Sequence, residues 1–288
     1  MEQKTSAIVM KGKPVAEKLT EGLRSEVEGL AAKTGRPPGL AVVLVGEDPA
    51  SQVYVRIKER TAKKLGILTF DHRIPENLDQ GDLLDLISRL NSDPAMDGIL
   101  IQLPLPGHLN EQEALRAVAL DKDVDVFHPE NFGRMALKQG ILRPCTPAGV
   151  IEMLKHYEIE IEGKSVALIG RSKIVGLPLS LLLLHENATI TVCHSRTSDI
   201  GAVTREADIV VVALGRPKFL TADMVKEGAV VVDIGINRVD EKLVGDCDYD
   251  ALVVKVSAIT PVPGGVGPMT VAMLMANTVR AFRDHASG

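Results

Sequence analysis

Residues 164–184, KSVALIGRSKIVGLPLSLLLL, decide the fold. The first six form a short apolar run, the mark of a strand buried on both faces of a parallel sheet. Gly170 ends the run, and an apolar helix begins near Gly176 to Pro178. A strand, a glycine-bearing turn and a helix in that order aim a helix N-terminus, with its free N–H groups and positive dipole, at an anion. The match to G-x-G-x-x-G is incomplete: Gly170 and Gly176 are in place, and Ser172 stands at the middle glycine. The downstream sequence strengthens the match. Apolar runs at 189–193, 208–213 and 229–234 alternate with helix-length segments, as in a doubly wound dinucleotide-binding domain.

The end of the second strand reads TVCHSRT, 191–197. A domain of this kind that takes NAD places an acid there for the ribose 2′-hydroxyl. Here stand His194, Ser195 and Arg196, with Arg171 in the first turn. Arginines and a hydroxyl suit a 2′-phosphate through charge-assisted bonds, so NADP is expected over NAD. ALGRP and DIGIN (233–237) bring further glycines to strand ends, where backbone can approach a ligand.

Upstream, residues 14–33 read as a helix with Leu19, Leu23, Val27 and Ala31 four apart. GLAVVLVG (39–46), residues 67–74 and Gly98–Ile101 read as strands, with helices between them, Leu83, Leu84, Ile87 and Leu90 facing inward on the one at 80–90. That β-α-β-α-β order predicts a second α/β layer with a mainly parallel sheet. Gln102 follows the third strand at its carboxyl end, where such sheets bind ligands. A polar amide between Ile101 and Leu103 either bonds loop backbone or serves a site.

Between the first two strands lies DPASQVYVRIKERTAKKLGI, 48–67. Asp48 suits an N-cap, Pro49 the first helical position and Gly66 the stop. Val53, Ile57 and Leu65 are expected to face the core, with Lys58 at the stripe's edge and Tyr54 one turn before it. A lysine so placed usually covers apolar surface with its stem and keeps its head wet. If partly desolvated, it becomes an acid or base usable near neutral pH.

In DKDVDVFHPENFGR, Asp121, Asp123 and Asp125 alternate, so an extended chain would point all three to one side. This is either a solvated acidic edge or, given Val124, Val126 and Phe127, a carboxylate held in a cleft. RPCTPAG (143–149) leads into a helix over 147–157, capped by Thr146, and a domain boundary is expected here. ITPVPGGVGPMT, 259–270, predicts an irregular, closely approached backbone. A last helix at about 268–285 presents Val271, Leu274, Met275, Val279 and Phe282 and is expected to return to the first domain, with Met273 and Met275 as core filler.

Composition excludes several classes. The 288 residues are 45% hydrophobic and 25% charged with a net charge of −5, which gives no basic footprint for nucleic acid. No apolar run is long enough to span a membrane, and the N-terminus lacks the pattern of an export signal. Cys145, Cys193 and Cys247 have no paired spacing, and the seven histidines no zinc-like pair, so no metal is expected and a cytoplasmic setting fits.

Together VGEDPASQVYVRIKERTAKKLGI, DGILIQLPLP, KDVDVFHPENFG, PCTPAG, IGRSKIVGLP, DIGIN and TPVPGGVGPMT resemble, in order and across nearly the whole chain, the signatures of the bifunctional methylenetetrahydrofolate dehydrogenase/cyclohydrolase family. The resemblance implies two α/β domains with an active-site cleft between them: residues 1–145, completed by a C-terminal helix at 268–288, for substrate and catalysis, and 146–267 as a Rossmann-like NADP-binding domain. It implies oxidation of 5,10-methylenetetrahydrofolate, hydrolysis of the methenyl product to the 10-formyl form, a role in one-carbon metabolism and purine biosynthesis, and a homodimer. Lys58 matches the catalytic lysine and Gln102 its partner. Tyr54, Asp125, Gly264 and Gly265 match substrate contacts. Gly170, Arg171, Ser172, Gly176, Ser195, Arg196 and Ile236 match cofactor contacts. Four positions depart from the pattern: Arg60 where lysine is frequent, Val126 where glycine is usual, Cys247 for valine and Ala276 for glutamate. The alternative is another two-domain NADP dehydrogenase of shikimate-dehydrogenase type, which has no need of the Tyr54–Lys58 spacing or of QLPLP.

Overall fold

A computed structural model describes residues 7–240 and 242–287. In chain order the elements are β1 (Ile8–Val9), α1 (Gly12–Thr34), β2 (Gly39–Val45), α2 (Pro49–Leu65), β3 (Leu68–Ile74), α3 (Gln80–Ser92), β4 (Gly98–Ile101), α4 (Glu111–Ala117), α5 (Pro129–Ala136) and α6 (Cys145–His156). They continue with β5 (Ser165–Ile169), α7 (Gly176–His185), β6 (Thr189–Cys193), α8 (Ile200–Glu206), β7 (Ile209–Val212), β8 (Val230–Asp233), β9 (Asn237–Val239), β10 (Lys242–Val244), α9 (Tyr249–Leu252), β11 (Ala258–Ile259) and α10 (Gly267–His285).

The chain divides into two compact units. One comprises Glu17–Cys145 and Val271–Gly288, the other the segment ending at Ala16 with Thr146–Thr270. The first holds a parallel three-stranded sheet, order β3-β2-β4. β2 and β4 are apolar along their length and fully buried, as central parallel strands with covered faces must be. Ala41, Val43, Leu83, Ile87, Ile99 and Ile101 belong to its core. Leu84, expected inward, is only half-buried.

The second unit holds a parallel six-stranded sheet, order β1-β11-β8-β7-β5-β6. From β5 the chain moves outward to β6 and then returns to β7 on the other side, which makes the carboxyl ends of β5 and β7 the switch point where such sheets take ligands. Ile8 and Val9 pair with Ala258 and Ile259, so the extreme N-terminal strand belongs to this sheet and not to the first domain, where the sequence placed it. A two-residue strand carries too little pattern to choose its own sheet.

α2 begins and ends as its sequence dictates. Asp48 accepts the Ser51 N–H at 2.7 Å, and Gly66 closes the helix at φ 78°. Its buried face is not the expected one. Val53 and Ile57 are 47% and 45% exposed, while Ser51, Val55, Lys58, Ala62 and Leu65 face inward. The helix lies on β2 and β3. The small residues Ser51 and Ala62 sit on the stripe turned to the sheet, and Lys58 sits on that stripe with them.

The aspartate segment also differs from expectation. It forms turns, not an extended strand, with one bridge between Asp123 and Ile99. Asp121 is exposed, Asp123 buried and Asp125 half-buried. α6 starts at Cys145, two residues before the position expected from Pro147.

Candidate active site

Three elements of the first unit converge on Lys58. The side chain is only 7% exposed. Its Nζ donates to Gln102 Oε1 at 2.9 Å. Gln102 follows β4, and its Nε2 donates to the Leu103 carbonyl at 2.8 Å, which settles the end of the amide that faces the lysine. Gln102 thus bonds loop backbone and Lys58 at once. Burial lowers the Lys58 pKa from its ordinary 10.5, while the charges of Asp125 and Cys145 act in the opposite direction. The wet surface lysine favoured by helix pattern is thus replaced by a desolvated amine with one amide partner and a carboxylate nearby. Tyr54 is half-buried one turn earlier, and desolvation raises its hydroxyl pKa.

Asp125 is presented by a loop fastened through its neighbours. The Asp123 carboxylate accepts the N–H groups of Phe127 and His128, each at 3.0 Å, and Asn131 Nδ2 at 2.9 Å. Burial pushes the Asp123 carboxyl up to about 6 against the pull of those donors. Val126 adopts φ 60°, the left-handed region where glycine is at ease and a β-branched residue is strained. The chain therefore makes the glycine turn without the glycine. Cys145 is buried beside Asp125, and burial together with that carboxylate pushes its thiol well above the ordinary range. Sequence reasoning misses Asp123, Asn131 and Cys145 as parts of the site. Nothing in the local pattern separates Asp123 from Asp121 and Asp125, and an unpaired thiol carries no signal of its own.

In the second unit, β5 runs through Gly170 toward α7. Gly170 has φ 122°, and a Cβ there would overlap the Ala213 carbonyl at the end of β7. A Cβ on Gly176 would overlap the Gly170 carbonyl. Both glycines are required by this close approach at the switch point, which is the cradle a dinucleotide needs. The helix entrance is not open in the way the motif suggested. Ser172 Oγ accepts the N–H groups of Val175 and Gly176 at 3.2 and 3.3 Å, and the Ser172 carbonyl takes that of Leu177. Pro178 has no N–H. An anion here can draw on the helix dipole, the Ser172 hydroxyl proton and the exposed Arg171.

After β6, the neighbour of β5, a short turn is held by the His194 N–H on Thr197 Oγ1 and the Arg196 N–H on His194 Nδ1. Ser195 and Arg196 are exposed there, and Ile236, after β8, is 46% exposed. Ser195 and Arg196 thus stand open beyond the carboxyl end of β6.

Of the other glycines expected to approach a ligand, Gly235 packs against the protein itself. A Cβ on Gly235 would overlap the Asp246 carboxylate. Asp246 accepts the N–H groups of Leu214, Gly215 and Arg216 and the Asn237 amide, while Asp233 accepts those of Gly235, Asp246 and Cys247. Two buried carboxylates thus shape the loops after β7 and β8. Gly265 is buried against Gly12, whose N–H bonds the Gly264 carbonyl at 2.9 Å, and Gly264 is exposed at φ 101°. Among the described residues no cluster of His, Cys, Asp and Glu is arranged to hold a metal ion, and no helix is long and apolar enough to cross a membrane.

The chain is similar to known proteins over nearly its whole length. Residues 10–125 match the catalytic domain of tetrahydrofolate dehydrogenase/cyclohydrolase, and residues 144–286 match its NAD(P)-binding domain. The bifunctional protein FolD of Maridesulfovibrio salexigens is 53% identical over 281 residues, 96% of this chain and 98% of that one. The crystal structure of the bifunctional FolD methylenetetrahydrofolate dehydrogenase/cyclohydrolase of Campylobacter jejuni superposes with a TM-score of 0.94 at 46% identity, covering 97% of this chain and 99% of that one. The Trypanosoma brucei dehydrogenase-cyclohydrolase, solved with NADP and an inhibitor, gives 0.93 at 39% identity over 97% and 98%. With both family domains matched and nearly every residue covered, the chain belongs to the tetrahydrofolate dehydrogenase/cyclohydrolase family.

Proposed function

We propose that the protein oxidises 5,10-methylenetetrahydrofolate to the 5,10-methenyl form with NADP and hydrolyses that product to 10-formyltetrahydrofolate, supplying one-carbon units such as purine biosynthesis consumes. The observation that carries this reading is the buried Lys58, bonded to the half-buried Gln102 and beside Asp125, in a chain of this family. The methenyl bridge is a cation shared between two nitrogens, so its carbon is electrophilic. Lys58, its neutral form favoured by burial, takes a proton from water as the oxygen bonds to that carbon. The adduct collapses when its hydroxyl proton leaves and the bond from carbon to N5 breaks. The bonding pair stays on N5, which receives the proton Lys58 took from water; the freed amine takes up the hydroxyl proton and passes it to solvent, and the formyl group remains on N10. One proton is released overall. Gln102 Oε1 accepts an N–H from Lys58 in either protonation state and so keeps the amine aimed.

Asp125 accepts paired N–H groups from the pterin, Tyr54 lies beside its ring, and Gly264 and Gly265 complete the substrate contacts. NADP supplies, when bound, the acceptor for the hydride. Gly170, Arg171, Ser172, Gly176, Ser195, Arg196 and Ile236 are the residues assigned to hold it. Hydride transfer needs positioning more than acid or base. The protein is further assigned to the cytoplasm as a homodimer. The long edge strand β3 and the exposed Val53, Ile57 and Leu68 beside it support self-association.

The test is a spectroscopic assay with methylenetetrahydrofolate and NADP that tracks the rise and decay of the methenyl species. Absence of both phases would remove the assignment. Because burial depresses the Lys58 pKa, its base form appears as pH rises through a value below 10.5, and the hydrolysis rate should climb over that same range. A profile flat up to the ordinary lysine range would rule out Lys58 as the base. NADP should exceed NAD in kcat/KM by roughly ten- to a hundredfold, the worth of one or two charged hydrogen bonds. Arg196→Ala should narrow the gap, and equal turnover with both nucleotides would remove Ser195 and Arg196 from the 2′-phosphate.

A further inference from the structure

Asn277 is fully buried in the middle of α10, a helix packed mainly through apolar side chains. An amide in such a place must satisfy every polar atom or cost stability. Its Nδ2 donates to the Val124 carbonyl at 2.8 Å and to the Arg143 carbonyl at 2.7 Å. Its Oδ1 accepts from Arg280 Nη1 at 3.1 Å and from the Arg143 N–H at 3.5 Å. Both donors of the amide are thus spent on carbonyls of other segments. Val124 immediately precedes Asp125, and Arg143 lies two residues before Cys145, whose Sγ is 3.7 Å from Nδ2. The Cys145 thiol itself donates to the Val124 carbonyl at 3.4 Å.

The Asp125 loop is therefore held at two ends. The Asp123 carboxylate grips the N–H groups of Phe127 and His128, and Asn277 grips the carbonyl of Val124. Between the grips lie Asp125 and the strained Val126. A β-branched residue keeps a left-handed φ only where its surroundings over-determine the backbone. With valine at this turn, releasing the Val124 carbonyl lets the backbone relax and moves Asp125.

We propose that Asn277 is a positioning residue for folate binding, acting through the Val124 carbonyl on the direction of the Asp125 carboxylate and, through that charge, on Lys58. The inference rests on Asp125 being the folate anchor of the proposed function. It sets Asn277 apart from the apolar residues around it, whose loss would lower stability without favouring one substrate.

The experiment is a double-mutant cycle on the full chain with Asn277→Leu, Asp125→Ala and the pair. The Michaelis constants for methylenetetrahydrofolate and for NADP, the hydrolysis pH profile and the melting temperature are measured for each. Asn277→Leu is expected to raise the folate KM by roughly tenfold or more, leave the NADP KM unchanged and shift the hydrolysis pH profile. In the Asp125→Ala background the same substitution should add little further folate KM penalty. Asn277→Ser, which keeps one hydroxyl donor, should recover part of the loss. An equal folate penalty in both backgrounds, equal penalties for folate and NADP, or a fall in melting temperature with unchanged KM would overturn the proposal. Failure of both Asn277 variants to fold would also count against it, as the mark of a purely structural role. Failure of the functional reading itself looks different: the unmodified protein would then show no folate turnover.

Discussion

Lys58→Met is expected to slow methenyl hydrolysis by about a thousandfold, the usual worth of a positioned acid or base. The substitution keeps the length of the side chain and removes its proton chemistry. Its effect on folding runs the other way. Lys58 is buried on the sheet-facing stripe of α2 and its pKa is depressed by desolvation. The folded state therefore binds this proton less readily than the unfolded chain, and the burial cost is fully present at pH values below the folded pKa. Methionine removes that cost while leaving Gln102 Oε1 without its donor, so the melting temperature at neutral pH should not fall. Loss of hydrolysis without loss of stability is what a residue kept for function and not for the fold should show. Arg60→Ala, an exposed change on the same helix, serves as the control and should leave both quantities near their original values. Hydrolysis retained in Lys58→Met would take the lysine out of the mechanism.

Asp97→Ala is expected to cost about 3 kcal/mol of stability, the low end for breaking a buried ion pair, because the Arg36 side chain stays 35% exposed. Asp97 is completely buried just before β4. It accepts both Nη atoms of Arg36 at 2.7 and 2.8 Å and the Gly39 N–H at 2.8 Å, and its Oδ1 is 3.0 Å from His285 Nδ1. It thus ties the start of β2 and the end of α10 to the lead into β4. Removing it leaves the Gly39 N–H buried without its acceptor and Arg36 without its carboxylate. The first unit should melt on the order of 10 °C lower. Burial raises the Asp97 pKa, but Arg36, His285 and the Gly39 N–H outweigh it and hold the carboxyl below its ordinary 3.8. The contribution is therefore complete above 3.8 and lost as pH falls through the lower folded value. Asp97→Ala should accordingly lose less stability on acidification than the unmodified protein. An unchanged melting temperature would show that the four contacts are not cooperative in solution.

Asp97 and Lys58 also mark how differently fold and site can be read from sequence. β2, β4 and β7 are visible as apolar runs, and β5 and β8 as such runs with one polar end residue, because a strand buried on both faces must be apolar in its interior. The limits of α2 are visible because capping depends on Asp48, Pro49 and Gly66 alone. The Gly170 turn can be placed because its strand, glycine and helix are contiguous. Lys58, Gln102 and Asp125 stand out one at a time, but their relation to one another is implied only by family resemblance.

The amino-acid sequence by itself determined the alternation of strands and helices, two parallel sheets and the glycine turn, since each depends on residues a few positions apart. Tertiary structure alone decided which stripe of α2 meets the sheet, and so made Lys58 a dry amine while leaving Val53 and Ile57 wet. It gave three neighbouring aspartates different burial, sent Ile8–Val9 to the far sheet and set Asn277 against a carbonyl 153 residues away. These outcomes depend on surfaces brought together from distant parts of the chain, and a local pattern carries no record of what will be packed against it.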